Sequence, residues 1–192
     1  IRVWTDSDFG GCIKSRKSTS AGTVILGSHL VKSWSSNQSV VALSSGEAEY
    51  YSLIKGSSVG LGIQSLSRDL GVEYGSPLEI MTDASAAIGI SSRVGVGKVT
   101  HTEVSQPWVQ AKVAKRGLVM TKVASHENLP DALTKPVNAS TIGVHARGVG
   151  LELLCDRHSL APSLEPGECH SVSFMGRQSF MNKQLFGPGG SH

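Results

Sequence analysis

Apolar and polar residues alternate from Ile1 to Thr5 and run into Asp6-Ser7-Asp8 and the turn residues Gly10-Gly11, which predicts a strand that ends in acids. Lys14 to Ser20 is a polar, basic loop. Gly22 to Gly27 and Leu30 to Ser35 read as two strands rich in β-branched residues, joined by a short Gly-Ser-His turn. Three strands in succession predict an antiparallel meander. From Ser44 the period changes: Leu53, Ile54, Leu61, Ile63, Leu66 and Leu70 recur at helical spacing up to Gly71. Ser44 or Ser45 is the N-cap of this helix, and Glu47 and Glu49 lie in its first turns. Gly56, Gly60 and Gly62 lower its intrinsic helix propensity.

Leu78 to Thr82 predicts a fourth strand, which again ends in an acid, Asp83, followed by a short Ala-rich helix from Ala84 to Ile90. His101 to Lys115 reads as a helix containing Pro107, a residue that a helix accommodates in its first turn and nowhere later without a kink. Leu118 to Val123 is a fifth strand, and Asn128 is placed to cap a closing helix that begins at Pro130-Asp131. The fold class is therefore α/β, a mixed five-stranded sheet flanked by helices, with residues 1–145 as one domain. After about residue 150 the periodicity fades into Gly, Pro, Ser and scattered charge, so 146–192 is expected to be a poorly ordered tail.

With 192 residues at 39% hydrophobic, the chain has enough apolar material for one domain with a core. A net charge of +3 permits a nucleic-acid partner without arguing for one. An aromatic content of 5% counts against a single-strand binder that stacks bases on a row of rings. Cys12, Cys155 and Cys169 are an odd number at unrelated spacings, and no signal peptide or long apolar run stands beside them. A reduced, intracellular chain with no membrane partner is the expectation. Its opening inside a strand reads as a piece of a longer translation product.

Chemistry enters through the acids. Hydrolysing a phosphodiester without a covalent intermediate needs a strong nucleophile and relief of charge on the leaving oxygen, which a pair of Mg²⁺ ions about 4 Å apart supplies. Such ions take a few hard carboxylate oxygens each. Asp6, Glu49, Asp83 and Asp131, at two strand ends and two helix starts, are the candidates for such a set. Taken one at a time, each reads equally well as a cap or a strand end. Glu47 and Glu49 point about 200° apart on a helix, so one of them at most faces a metal. Cys155, His158, Cys169 and His170 match zinc-ligand spacing poorly.

The wording around these acids shifts the balance. Val3-Trp4-Thr5-Asp6-Ser7-Asp8-Phe9-Gly10-Gly11, Arg16-Lys17-Ser18-Thr19-Ser20-Ala21-Gly22, Ser33-Trp34-Ser35-Ser36-Asn37-Gln38, Val41-Ala42-Leu43-Ser44-Ser45-Gly46-Glu47-Ala48-Glu49-Tyr50 and Asp131-Ala132-Leu133-Thr134-Lys135-Pro136 stand in one register. In that order they resemble copia-type retrotransposon ribonuclease H domains, over roughly residues 3 to 140.

The resemblance implies a ribonuclease H-like fold. It also implies an endonuclease that cuts the RNA strand of RNA–DNA hybrids with two Mg²⁺ or Mn²⁺ ions, beside the reverse transcriptase domain of one Pol polyprotein. It makes Asp6, Glu49, Asp83 and Asp131 the metal ligands, with Asp6 bridging both ions. Glu49 is preferred to Glu47 because it precedes the aromatic position of Glu-Ala-Glu-Tyr, and Asp8 is the rival of Asp6.

His126 falls where other ribonucleases H carry a mobile histidine that moves protons. Lys14, Arg16, Lys17, Ser18, Thr19 and Gln38 become contacts to the nucleic acid, whereas Trp34 reads as core. His101 occupies a Lys-His or Arg-His position but follows Thr100 here. Pro130 stands where the family has Ala and, with Pro107, supports the alternative of a decayed domain that binds nucleic acid without cutting. The isolated domain is expected to be a monomer, located in the cytoplasm within a virus-like particle or in the nucleus.

Overall fold

A computed structural model of the chain describes residues 1–73, 76–93 and 105–151, the side chains of 105 and 106 excepted. His101, the zinc candidates and the tail beyond Leu151 lie outside the described residues. The expected meander forms from β1 (Arg2–Ser7), β2 (Thr19–Leu26) and β3 (His29–Asn37), each antiparallel to the next. The long helix α1 (Ser45–Asp69) leads to β4 (Leu78–Thr82), α2 (Ser85–Ser91), α3 (Ser105–Ala114) and β5 (Leu118–Lys122). A 3₁₀ turn (Ser125–Glu127), α4 (Asp131–Thr134) and α5 (Ala139–Gly148) follow. The sheet order is β3-β2-β1-β4-β5, with β4 parallel to both β1 and β5.

β1 is the central strand and is buried from Val3 to Ser7. Its alternation therefore does not mark one wet face. Val3 packs with Tyr50, Leu53, Leu78 and Ile80, while Trp4 packs with Ile25 and Val149 in a second cluster joined by Leu129 and Met81. The residues that follow α5 thus help to cover the sheet, and α5 runs past the expected boundary at 145. The compact unit extends from Ile1 to Leu153.

α1 starts where the sequence places it. Ser44 accepts a hydrogen bond from the Glu47 amide at 3.2 Å, and the Glu47 carboxylate accepts from the Leu43 amide at 2.9 Å, a reciprocal cap. Gly71, at φ +77°, follows its last turn. The glycines within it are not equivalent. A Cβ on Gly56 would lie 2.3 Å from Thr5 Cγ2, and one on Gly60 2.7 Å from Leu78 Cδ2, whereas Gly62 faces open space. Gly56 and Gly60 let the helix lie directly on β1 and β4. Gly56→Ala should cost about 1–3 kcal/mol by overpacking, whereas Gly62→Ala should gain about 0.5–1 kcal/mol from helix propensity. Thermal melts of the two variants moving in the same direction would refute this close approach.

Pro107 is the third residue of α3, within its first turn, so it breaks no helical hydrogen bond. The closing helix is shorter than predicted. Asn128 does not cap it: Pro130 is the N-cap, at φ −78°. Asn128 is instead buried beneath β1. α5, capped by Asn138 accepting from the Thr141 amide at 2.8 Å, is a separate element. No helix among the described residues is long and apolar enough to cross a membrane.

Candidate metal centre

Parallel pairing decides where the acids meet. β1 and β4 run side by side with Trp4 opposite Met81, and continuing that register two residues along sets Asp6 beside Asp83. α1 comes off the β3 edge and delivers Glu49 to the same end of the sheet. One carboxylate oxygen from each of Asp6, Glu49 and Asp83 lies within 4.8 Å of the others. Glu47 takes no part, because its carboxylate caps α1 and accepts from Tyr51 Oη at 2.9 Å. Asp8 also turns away to accept from the Thr19 amide at 2.5 Å, pinning the loop.

The three acids crowd one another out of water. Asp6 is 1% exposed, and burial foremost pushes its carboxyl up to about 6; the Thr134 hydroxyl and Lys135 oppose the rise, and Asp131 and Asp83 add to it. Glu49 is pushed up to about 8, first by burial and then by the charges of Asp6 and Asp83. One oxygen of Glu49, Oε2, is buried without a hydrogen-bond partner. A buried carboxyl oxygen left in that state is a group lacking a partner.

Asp131 stands outside the trio. Lys135 Nζ holds its Oδ1 at 2.5 Å across one turn, although Asp131 remains near enough to raise the Asp6 carboxyl. His126 is exposed on the 3₁₀ turn, 3.9 Å from Glu127 Oε1. The stretch from Asn128 to Lys135 contributes in a way that spacing does not disclose. Asn128 Nδ2 donates to Asp6 Oδ1 at 3.0 Å and to the Thr5 carbonyl at 3.2 Å, with a longer 3.5 Å contact to Asp83. The Thr134 hydroxyl donates to Asp6 Oδ2. Thr134 and Lys135 sit inside a recognisable block, but their role emerges only when α4 folds against β1.

No family model matches the sequence. The chain is similar to the retrovirus-related Pol polyprotein from transposon RE2 of Arabidopsis thaliana, 31% identical over 153 residues, or 79% of this chain and 10% of the relative. It is likewise similar to that from transposon TNT 1-94 of Nicotiana tabacum, 30% identical over 139 residues, or 71% of this chain and 10% of the relative. The relatives are Pol polyproteins of transposons, and the chain matches one segment of each. It spans about a tenth of the length of these relatives.

Among solved structures it is similar to LC11-RNase H1 in complex with RNA/DNA hybrid, 17% identical over 66% of this chain and 87% of that one, with a TM-score of 0.42. It is similar also to RNase H1 from the halophilic archaeon Halobacterium salinarum NRC-1, 14% identical over 69% of this chain and 92% of that one, with a TM-score of 0.43. The chain itself forms a mixed five-stranded sheet in the order β3-β2-β1-β4-β5, as expected of the fold class.

The residues expected to touch nucleic acid divide into two groups. Lys14 and Arg16 are exposed and Lys17 is half-buried on the loop between β1 and β2, and Thr19 is half-buried at the start of β2. Ser18 and Gln38, in contrast, are buried. Ser18 Oγ accepts from the Gly10 amide at 3.0 Å. Gln38 Nε2 donates to Ser20 Oγ at 2.9 Å and to the Ala48 carbonyl at 2.8 Å. Both help to hold the loop and the start of α1 in place. Trp34 is half-buried over Gly22, where a Cβ would lie 2.2 Å from its ring, as expected of a core residue.

Proposed function

We propose that this Pol segment is a metal-dependent ribonuclease H that hydrolyses the RNA strand of an RNA–DNA hybrid, working beside a reverse transcriptase domain in the same polyprotein. The observation that carries this reading is the convergence of Asp6, Glu49 and Asp83, with a partnerless buried oxygen on Glu49. An all-oxygen donor set of this kind fits Mg²⁺ or Mn²⁺ better than Zn²⁺. Asp6, Glu49 and Asp83 would hold the ions, and Asp131 would join them once parted from Lys135. When bound, two such ions activate a water and relieve charge on the leaving oxygen.

The chain's own residues do the rest. Asp6, fixed from two sides, sets the position of the cluster. Lys14 and Arg16, exposed on their loop, would take phosphates of the duplex, and contacts to backbone phosphates carry no sequence preference. His126, exposed on its turn, is free to carry a proton away from the product.

A second reading, a domain that binds hybrid without cutting it, is favoured by the pairing of Asp131 with Lys135 outside the trio. Labelled RNA–DNA hybrid incubated with Mg²⁺ separates the two, with Asp6→Asn as control. The expected result is cleavage of the RNA strand that stops on chelation of divalent ions and is lost in the control. Cleavage that survives chelation would sink the mechanism, and retention of hybrid on a gel without cleavage would establish the second reading.

A further inference from the structure

Asp6 carries more hydrogen bonds than a solvent-facing metal ligand needs, and their arrangement is specific. Its two oxygens each have a side-chain donor: Asn128 Nδ2 on Oδ1 at 3.0 Å, and on Oδ2 the Thr134 hydroxyl, which also lies 3.0 Å from the Asp131 carbonyl and shares its one proton between the two. Both donors arrive from far along the sequence, 122 and 128 residues after Asp6. Asn128 is fully buried and is held by a further bond to the Thr5 carbonyl at 3.2 Å. Its amide orientation is fixed by charge, since turning its oxygen toward Asp6 and Asp83 would set three acceptors against one another. Each carboxylate oxygen offers two lone-pair sites. One donor per oxygen leaves one site free on each, which a metal ion could take.

We propose that Asn128 and Thr134 are positioning residues that would orient the Asp6 carboxylate for metal binding, each donating to a different oxygen. The inference rests on the metal reading above. It gives the stretch that carries Asp131 a second role, that of orienting an acid on the first strand. Outer partners of this kind fix the ligand's rotamer and so lower the cost of assembling the site.

The deciding experiment is Mn²⁺ binding to the full chain by calorimetry, with the hybrid's KM and kcat measured in parallel, for Thr134→Val, Thr134→Ser and Asn128→Ala. Thr134→Val removes the donor at nearly constant volume and should weaken Mn²⁺ binding about 10–100-fold, with kcat falling and KM for hybrid unchanged. Thr134→Ser should restore both, which a packing role for the Thr methyl would not allow. Asn128→Ala should weaken Mn²⁺ binding in the same direction; should it fail to fold, the half-buried Thr134 pair decides alone. Wild-type affinity in Thr134→Val, or a loss that Thr134→Ser does not recover, would overturn the inference while leaving the metal reading standing. Absence of Mn²⁺ binding by the wild-type chain would overturn the metal reading and this inference with it.

Discussion

Asp83→Asn is expected to lower cleavage of RNA–DNA hybrid by about a thousandfold or more, the loss of several kcal/mol of charge stabilisation, while leaving the melting temperature of the metal-free chain unchanged or slightly raised. The two effects separate because the same carboxylate does opposite things to folding and to catalysis. In the metal-free fold it is one of three acids within 4.8 Å, and its charge raises the carboxyls of Asp6 and Glu49. Neutralising it relieves that repulsion. Its contact with the buried Asn128 amide is a long one, at 3.5 Å, and an Asn carbonyl can accept it equally. Asp6→Asn differs, since its new NH₂ would face the donors Asn128 or Thr134. A loss of stability confined to Asp6→Asn, with activity lost in both, is the expected pair. A folded Asp83→Asn chain that cuts as fast as wild type removes Asp83 from the site.

How far the site is legible in the sequence depends on which force places each residue. Asp6 and Asp83 end strands whose alternation is plain, and parallel pairing of those strands brings the two together without further help. The helical period says that only one of Glu47 and Glu49 can face the other acids, the family resemblance selects Glu49, and in the fold Glu47 is spent on the cap with Ser44 and Leu43. Asn128 misleads for a reason of the same kind: Asn three residues ahead of an acid looks like an N-cap, and nothing local says that β1 lies above it. Pro130 takes the cap position instead, and its φ of −78° suits the ring, so this departure from the family's Ala leaves the α4 backbone unstrained.

The resemblance offers Ser18 and Gln38 as nucleic-acid contacts, but the fold buries both, Ser18 just before β2 and Gln38 just after β3, which a sequence does not display. Asp131 belongs with the other acids by its block, whereas Lys135 four residues on supplies a nearer charge. That short-range pairing holds Asp131 outside the trio, so the fourth acid is the one whose place the sequence leaves open.

The acid cluster should also set how the stability of the domain depends on pH, and the sign is opposite to that of an ordinary salt-bridged carboxylate. Glu49 is raised from 4.5 to about 8 and Asp6 from 3.8 to about 6 in the folded chain. Both groups bind protons more tightly folded than unfolded, so the stability they contribute is complete below about pH 4. It is lost as pH rises, first through the Asp6 value near 6 and then through the Glu49 value near 8. Without metal, the melting temperature should therefore fall by about 5 °C or more between pH 5 and pH 8.5.

Divalent ions invert the trend, because they bind the ionised carboxylates that the metal-free fold resists forming. Mn²⁺ at about a hundred times its Kd should add about 2.7 kcal/mol, or roughly 5–10 °C, at pH 8.5. The gain should shrink toward pH 5, where protons occupy the site. Glu49→Gln, which cannot ionise, isolates the upper part of the curve: its metal-free melting temperature should stay flat from about pH 6.5 to 8.5 while that of wild type declines. Thermal melts across this range with and without Mn²⁺ decide the matter. A metal-free wild-type chain that grows more stable from pH 6 to pH 8, or one whose gain from Mn²⁺ is the same at every pH, would show that Asp6, Glu49 and Asp83 do not form a coupled, proton-holding metal site.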